Sequence, residues 1–152
     1  IPALAKRAAA TKRRFIGFII AWRGEVYVQR RPSGEVNAGF WEFPNWQADD
    51  PAMQPADLAK ASLALGQAAL EPLCTINHSI TRYRNRLEMF AIAPSRKPRL
   101  AKLKGQWLPE AKLAELPLTA AHRKAATRFL NTANAREEII RIGRRSTRMN
   151  AD

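Results

Sequence analysis

Side chains able to do acid-base or metal chemistry are few in this chain, and they are scattered. Cleaving a pyrophosphate with Mg²⁺ takes several carboxylates converging on the metal. The acids available for that work are Glu42, Asp49, Asp50, Asp57 and Glu71. Two of them open a polar, proline-bounded connection, Asp49 to Pro55, and acids strung along a loop make a poor Mg²⁺ site. Between Asp57 and Glu71 the chain is mostly alanine and leucine around Lys60. The one cysteine, Cys74 in Leu73-Cys74-Thr75-Ile76, excludes an internal disulfide and a paired-cysteine zinc cluster. It reads as a small buried strand residue and points to a reducing compartment. No metal ligand set is expected.

The cations, by contrast, are many. The chain has 152 residues, 26 Lys and Arg against 13 Asp and Glu, and a formal net charge of +13. Such an excess repels itself unless a polyanion is the usual partner, and nucleic acid is the natural one. The plainer alternative is a solvated basic surface. Lys6, Arg7, Lys12, Arg13 and Arg14 form an acid-free basic arm, expected as a linker over residues 1–13. A second acid-free run, Arg96, Lys97, Arg99, Lys102 and Lys104, is a loop that offers phosphate contacts. The Ile1-Pro2 start suggests a piece of a longer chain. No stretch approaches the length of a membrane span; the longest apolar run, Phe15 to Trp22, is strand length.

The 46% hydrophobic content supports one domain with its own core. Phe15 to Trp22, the turn signal Arg23-Gly24, and Glu25 to Arg30 with Val26 and Val28 alternating predict a β-hairpin. A helix is expected at about 56–70, with Leu58, Ala61, Leu65 and Ala69 near helical spacing. Strands are expected at about 72–78 and 83–92, the second alternating Tyr83, Asn85, Leu87, Met89 and Ala91 against Arg84, Arg86, Glu88, Phe90 and Ile92. A short strand at 105–109 and a helical turn from Glu110 to Leu116 follow. A last helix runs from Ala120 to about Asn131, with Thr119 as N-cap and Ala121, Ala125 and Phe129 inward. Residues 133–152 read as a basic tail, a marginal helix or disordered.

Gly39-Phe40-Trp41-Glu42-Phe43-Pro44-Asn45-Trp46 resembles the core signature of a Nudix domain, with Asn45 and Trp46 in place of two glycines and without the glutamate-rich helix that follows them. Together with Asn77 to Arg84, Trp107-Leu108-Pro109, Leu116-Pro117-Leu118 and His122-Arg123-Lys124, the block resembles the C-terminal domain of MutY-type adenine DNA glycosylases over about residues 13–131. The resemblance implies an α+β, Nudix-like fold over 14–132: a mixed β-sheet between helices (an α/β/α sandwich) with a degenerate catalytic box. It implies a non-catalytic domain that helps locate 8-oxoguanine paired with adenine in double-stranded DNA during base excision repair. The partner is then an N-terminal glycosylase domain of the same parent chain, which holds the family's catalytic acids and iron-sulfur cluster, so no cofactor is expected here. A monomer in the bacterial cytoplasm, associated with DNA, is expected.

The segment His78, Ser79, Ile80, Thr81, Arg82 falls where the family has a His-x-Phe-Ser/Thr-His loop that reaches the oxidised base. Ile80 and Arg82 depart from that pattern. Chemically, Ile80 can wedge against a base step, the Thr81 hydroxyl can donate or accept at a base edge, and Arg82 adds a planar charge. His78 fits equally a half-buried strand-end histidine. Arg30, Arg31, Lys102, Lys104 and Arg123 are candidate phosphate contacts. Two other functions remain open: an active Nudix hydrolase of oxidised nucleotides, and a stand-alone basic domain that binds RNA or protein.

Overall fold

The computed structural model describes residues 9–65 and 69–149, with side chains in the last helix described through Asn134 and at Ile142 and Gly143. Its elements are β1 (Thr11–Trp22), β2 (Glu25–Arg30), β3 (Trp41–Glu42), β4 (Asn45–Gln47), α1 (Pro55–Leu63), β5 (Leu70–Ile80), β6 (Tyr83–Ile92), β7 (Gly105–Pro109) and α2 (Ala120–Met149). The strands form one mixed sheet in the order β3-β2-β1-β6-β5, with β4 on β1 and β7 on β2. β1 and β6 run parallel from Thr11↔Tyr83 to Ile20↔Ile92, and β6 pairs antiparallel with β5 from Ile92↔Leu70 to Tyr83↔Ile80. The expected α/β/α layering is what the chain adopts.

β1 is central, so Ile16 to Ile20 are buried on both faces. Its hairpin to β2 closes through Arg23 (φ 44°) and Gly24 (φ 79°), both left-handed, as a two-residue turn that matches strand twist requires. Only Ala21 and Trp22 pair with β2. Beyond them the two strands splay, and β4 lies against Phe15, Ile16 and Gly17.

Alternation assigns the two faces. Ile19, Leu87, Met89 and Ile76 meet Ala121, Ala125 and Phe129 of α2, joined by Phe43 and Leu113. On the opposite face Ile16, Phe18, Ile20 and Ile92 meet Ala59 and Leu63 of α1.

Three sequence expectations change. The helix expected to residue 70 ends at Leu63, because Ala64 turns left-handed (φ 50°) and redirects the chain; residues 66–68 lie outside the described part. Its buried residues are Ala59 and Leu63, one turn apart, with the expected Leu58 partly buried against the same core and the expected Ala61 exposed. The linker expected over 1–13 gives way to strand at Thr11, since Lys12 and Arg13 pair with Arg84 and Asn85; Lys6 and Arg7 lie outside the described residues. Of the two alternatives for the tail, the backbone takes the helix, continuing α2 to Met149. No helix among the described residues is long and apolar enough to cross a membrane.

Candidate nucleic-acid interface

The β5–β6 hairpin carries the residues picked out in the sequence, but it does not gather them on one surface. Successive strand side chains point to opposite faces. Ser79 pairs with Arg84, His78 with Asn85 and Ile80 with Tyr83. Ser79 therefore shares the α1 face with Arg84, while His78 and Ile80 share the α2 face with Asn85 and Tyr83. Thr81 and Arg82 form the exposed turn between the strands. Thr81 sits at φ 51°, a left-handed conformation that β-branched residues rarely take. The backbone carbonyl of Arg82 accepts from the N–H of Thr11 at 2.9 Å, which seats the turn against the start of β1.

On the α2 face a polar relay surrounds His78. Arg13 Nε donates to Asn85 Oδ1 at 2.9 Å, and Asn85 Nδ2 stands 3.5 Å from His78 Nε2. With the Asn85 amide so oriented, Nε2 is the acceptor and the ring proton is on Nδ1, a buried atom with no partner among the described residues. Burial first, then the positive charges of Arg13 and Lys124, hold His78 below the usual histidine range. The Arg13 guanidinium lies 3.7 Å from the centre of the Tyr83 ring, and Arg82 approaches the same ring at 5.5 Å. A hydrogen bond from Arg82 lowers the Tyr83 phenol. The structure thus brings together His78, Asn85, Arg13 and Tyr83, of which the sequence singled out only His78. Ile80 is half-buried beside them rather than at the tip of the turn.

This end of the sheet borders an open cleft of about 760 Å³, whose lining includes Lys12, Arg84, Arg86, Asn77, Ser79 and Asp49 from the α1 side and also Arg13, His78 and Asn85. Arg14 and Glu88 also line it. Arg14 Nε donates to Glu88 Oε2 at 2.6 Å and its Nη2 to Oε1 at 3.2 Å, while Nη1 holds the carbonyls of Asp50 and Met53, both at 3.1 Å. The hydrogen bond with Arg14 draws Glu88 below the ordinary carboxylate range and raises Arg14.

The other expected phosphate contacts have different surroundings. Arg31 donates to Val36 O (2.7 Å), Glu42 Oε2 (3.0 Å) and Glu35 Oε2 (3.3 Å), closing the 32–40 loop onto β3. Arg123 donates to the carbonyls of Leu113 and Leu116, fixing the approach to α2. Arg30 is exposed, with Nε on Gly39 O at 3.1 Å. Lys102 and Lys104 are exposed on the loop between β6 and β7, which enters β7 with Gly105 opposite Gln29 of β2, while Lys97 earlier in the loop is tied to Glu25 at 3.3 Å. Counting nine strand steps from Tyr83 to Ile92, the start of this loop is about 30 Å from the hairpin turn.

Glu42 is buried between Arg31 and His122, with 9% exposure. His122 Nδ1 accepts the Phe43 N–H at 3.0 Å and Nε2 faces Glu42 Oε2 at 3.8 Å. That acceptor role requires a neutral ring, so the Glu42 contact is not an ion pair. Burial, reinforced by His78 and Arg31, lowers His122 to about 3. Asp49 takes the backbone N–H of Arg14 and the side chain of Gln47, and Asp50 caps Ala52. Among the described residues no three His, Cys, Asp or Glu side chains gather into a metal site. α1 holds one carboxylate, Asp57. These residues do not fit the Mg²⁺ cluster of a Nudix hydrolase, and a single thiol, Cys74, does not fit an iron-sulfur cluster.

No curated protein matches the sequence. Among solved structures, a MutT protein from Methanosarcina mazei Go1 aligns with a TM-score of 0.65 at 17% identity, covering 84% of this chain and 99% of that one. The E. coli ORF135 protein aligns at 0.63 and 16%, covering 83% and 94%. The C-terminal domain of mouse MUTYH, solved in complex with human PCNA, aligns at 0.60 and 19%, covering 80% and 90%. At these identities the likeness is one of fold. The NUDIX domain family matches residues 16–128, most of the chain and every strand from β2 to β7, and the chain belongs to that family.

Proposed function

We propose that this chain is a lesion-recognition domain of a MutY-type adenine DNA glycosylase, a Nudix fold that binds DNA instead of hydrolysing nucleotides and helps locate 8-oxoguanine opposite adenine. The observation that carries the proposal is the exposed Thr81-Arg82 turn, set in the basic end of a sheet whose α1 holds a single carboxylate. The fold shared with the mouse MUTYH C-terminal domain supports it. In 8-oxoguanine N7 becomes a donor and C8 carries an acceptor oxygen. The Thr81 hydroxyl, or a turn carbonyl, can read that change, and a contact of this kind discriminates by about 1–3 kcal/mol. Arg82 supplies charge toward the flanking backbone. Excision of adenine requires base flipping and catalytic acids, which this proposal assigns to a glycosylase domain of the parent protein.

The test is fluorescence anisotropy of the chain with duplexes carrying 8-oxoguanine or guanine opposite adenine, at low and moderate salt. A preference for the oxidised base supports lesion reading, and equal binding overturns it. Mg²⁺-dependent phosphate release from an oxidised nucleotide would favour hydrolysis instead.

A further inference from the structure

The geometry points to a phosphate-binding cleft on the α1 face of the sheet, built from Lys12, Arg84, Arg86, Asn77 and Ser79, that takes the sugar-phosphate backbone of a DNA strand beside the hairpin turn. The inference rests on the DNA-recognition proposal above and adds to it a second group of side chains, on the α1 side of the sheet end whose cleft His78 also borders.

Strand pairing brings like charges together here. The parallel register sets Lys12 opposite Arg84 and Arg14 opposite Arg86. Like charges facing across a sheet are destabilising. The second pair is compensated, because Glu88 accepts two hydrogen bonds from Arg14 and lies 3.8 Å from Arg86. The first pair is not: among the described residues, no carboxylate comes within ion-pair distance of Lys12 or Arg84. A bound anion relieves that repulsion.

The donors of the cleft also form a pattern. One strand over, Ser79 pairs with Arg84 and Asn77 with Arg86. A hydroxyl and an amide thus flank two guanidinium forks, a mixture suited to phosphate oxygens that position a duplex without reading its sequence. Arg84 and Arg86, two residues apart on one strand, are separated by about 6.8 Å, and Lys12 lies on the neighbouring strand about 4.8 Å away. Such a grid can meet successive phosphates of one strand.

The field of the cleft favours an anion as well. The acids lining the cleft are Glu88, held by Arg14, and Asp49 at the wall, held by the Arg14 N–H at 3.0 Å and by Gln47 at 2.6 Å. Lys12, Arg84 and Arg86 are all exposed. The open part of the cleft is therefore positive.

The experiment measures the salt dependence of anisotropy for the full chain on both duplexes, wild type against Lys12→Ser/Arg84→Ser/Arg86→Ser. Each lost phosphate contact lowers the log–log salt slope by about 0.9, so the triple variant should lose about 2–3 in slope. It should weaken on both duplexes by the same factor, leaving any preference for the oxidised base intact. Arg84→Lys/Arg86→Lys keeps the charge and should keep the slope. Circular dichroism and a thermal melt report folding, and if the triple variant does not fold, Arg84→Ser alone is read for a loss of about 0.9. A folded variant with the wild-type slope overturns the cleft, as does weakening confined to the lesion duplex. A wild type that binds both duplexes equally, with the slope falling in the variant, supports the cleft and removes lesion reading. A wild type that binds neither overturns both.

Discussion

The backbone N–H of Phe43 donates to His122 Nδ1 at 3.0 Å, linking the signature turn to the first turn of α2. That bond exists only while the imidazole is neutral. His122 titrates at about 3 in the fold, against an ordinary value of 6.5. The unfolded chain therefore takes up the proton first as pH falls. The stabilisation is complete above about 6.5, is lost progressively as pH drops toward 3, and amounts to about 2 kcal/mol lost by pH 5. Urea melts at pH 7 and pH 5 should show the loss. His78 is shifted in the same direction, so His78→Asn serves as background. In that background His122→Leu should lose most of the pH dependence and, by orphaning the Phe43 amide, cost about 1–3 kcal/mol at pH 7.

Arg14 anchors the connection into α1 while neutralising Glu88, and both side chains are about one-fifth exposed, at 20% and 17%. Solvent screening limits the pair, so Arg14→Met should destabilise by about 1–2 kcal/mol. Because the folded-state pKa of Glu88 is depressed below 4.5, its contribution is present above that value and lost as pH falls through the folded one. A Glu88→Gln variant should show a flatter decline in stability in acid, measured by chemical melts between pH 5 and pH 3.

Thr81 combines backbone strain with the hydroxyl proposed to read the base. A left-handed conformation costs an L-residue about 1–2 kcal/mol, and glycine is free of that cost. Thr81→Gly should raise stability by up to about 1 kcal/mol while reducing the preference for 8-oxoguanine over guanine. Opposite signs in a thermal melt and in paired anisotropy titrations would separate the two roles. Loss of total affinity with an unchanged preference would remove Thr81 from base reading.

Lys102 and Lys104 stand on the loop that leads into β7 beside β2, outside the lining of the cleft at the hairpin. A duplex held at the hairpin end should not depend on them, so Lys102→Ala/Lys104→Ala is expected to change affinity by no more than about 0.5 kcal/mol. Titration of the double variant beside wild type at one salt concentration checks this.

The fold was legible where the pattern was strong. The Phe15–Arg30 hairpin, the β6 alternation, the Gly105–Pro109 strand and the inward Ala121, Ala125 and Phe129 all follow from periodicity and turn residues. The end of α1 was not legible, since Ala64 is an ordinary helix former and its left-handed turn is imposed by the need to enter β5. The candidate site was visible only as a contiguous stretch, His78 to Arg82. Contiguity in a strand means alternate faces, so the real neighbours of His78 are Arg13 and Asn85, from β1 and β6. Lys12, Arg84 and Arg86 were present as a basic arm and as one half of an alternation, but only the parallel β1–β6 register places them together. Arg31 and Arg123 looked like free cations because sequence does not show the carbonyls that claim them.

β5 carries an irregularity between Pro72 and Cys74, so Leu73 is one residue more than β6 needs. Such a bulge absorbs an extra residue without disturbing the pairing on either side. Leu73 is therefore the position where this hairpin tolerates a change in length: its deletion removes a partly buried side chain but leaves Ser79 facing the cleft and His78 facing α2. Removing one residue between Cys74 and Ile80 instead exchanges the two faces, sending a histidine to the phosphates and a serine to the relay. Along this strand the tolerance to insertion and deletion is thus confined to one site, and the two chemistries of the hairpin are inherited as a single frame.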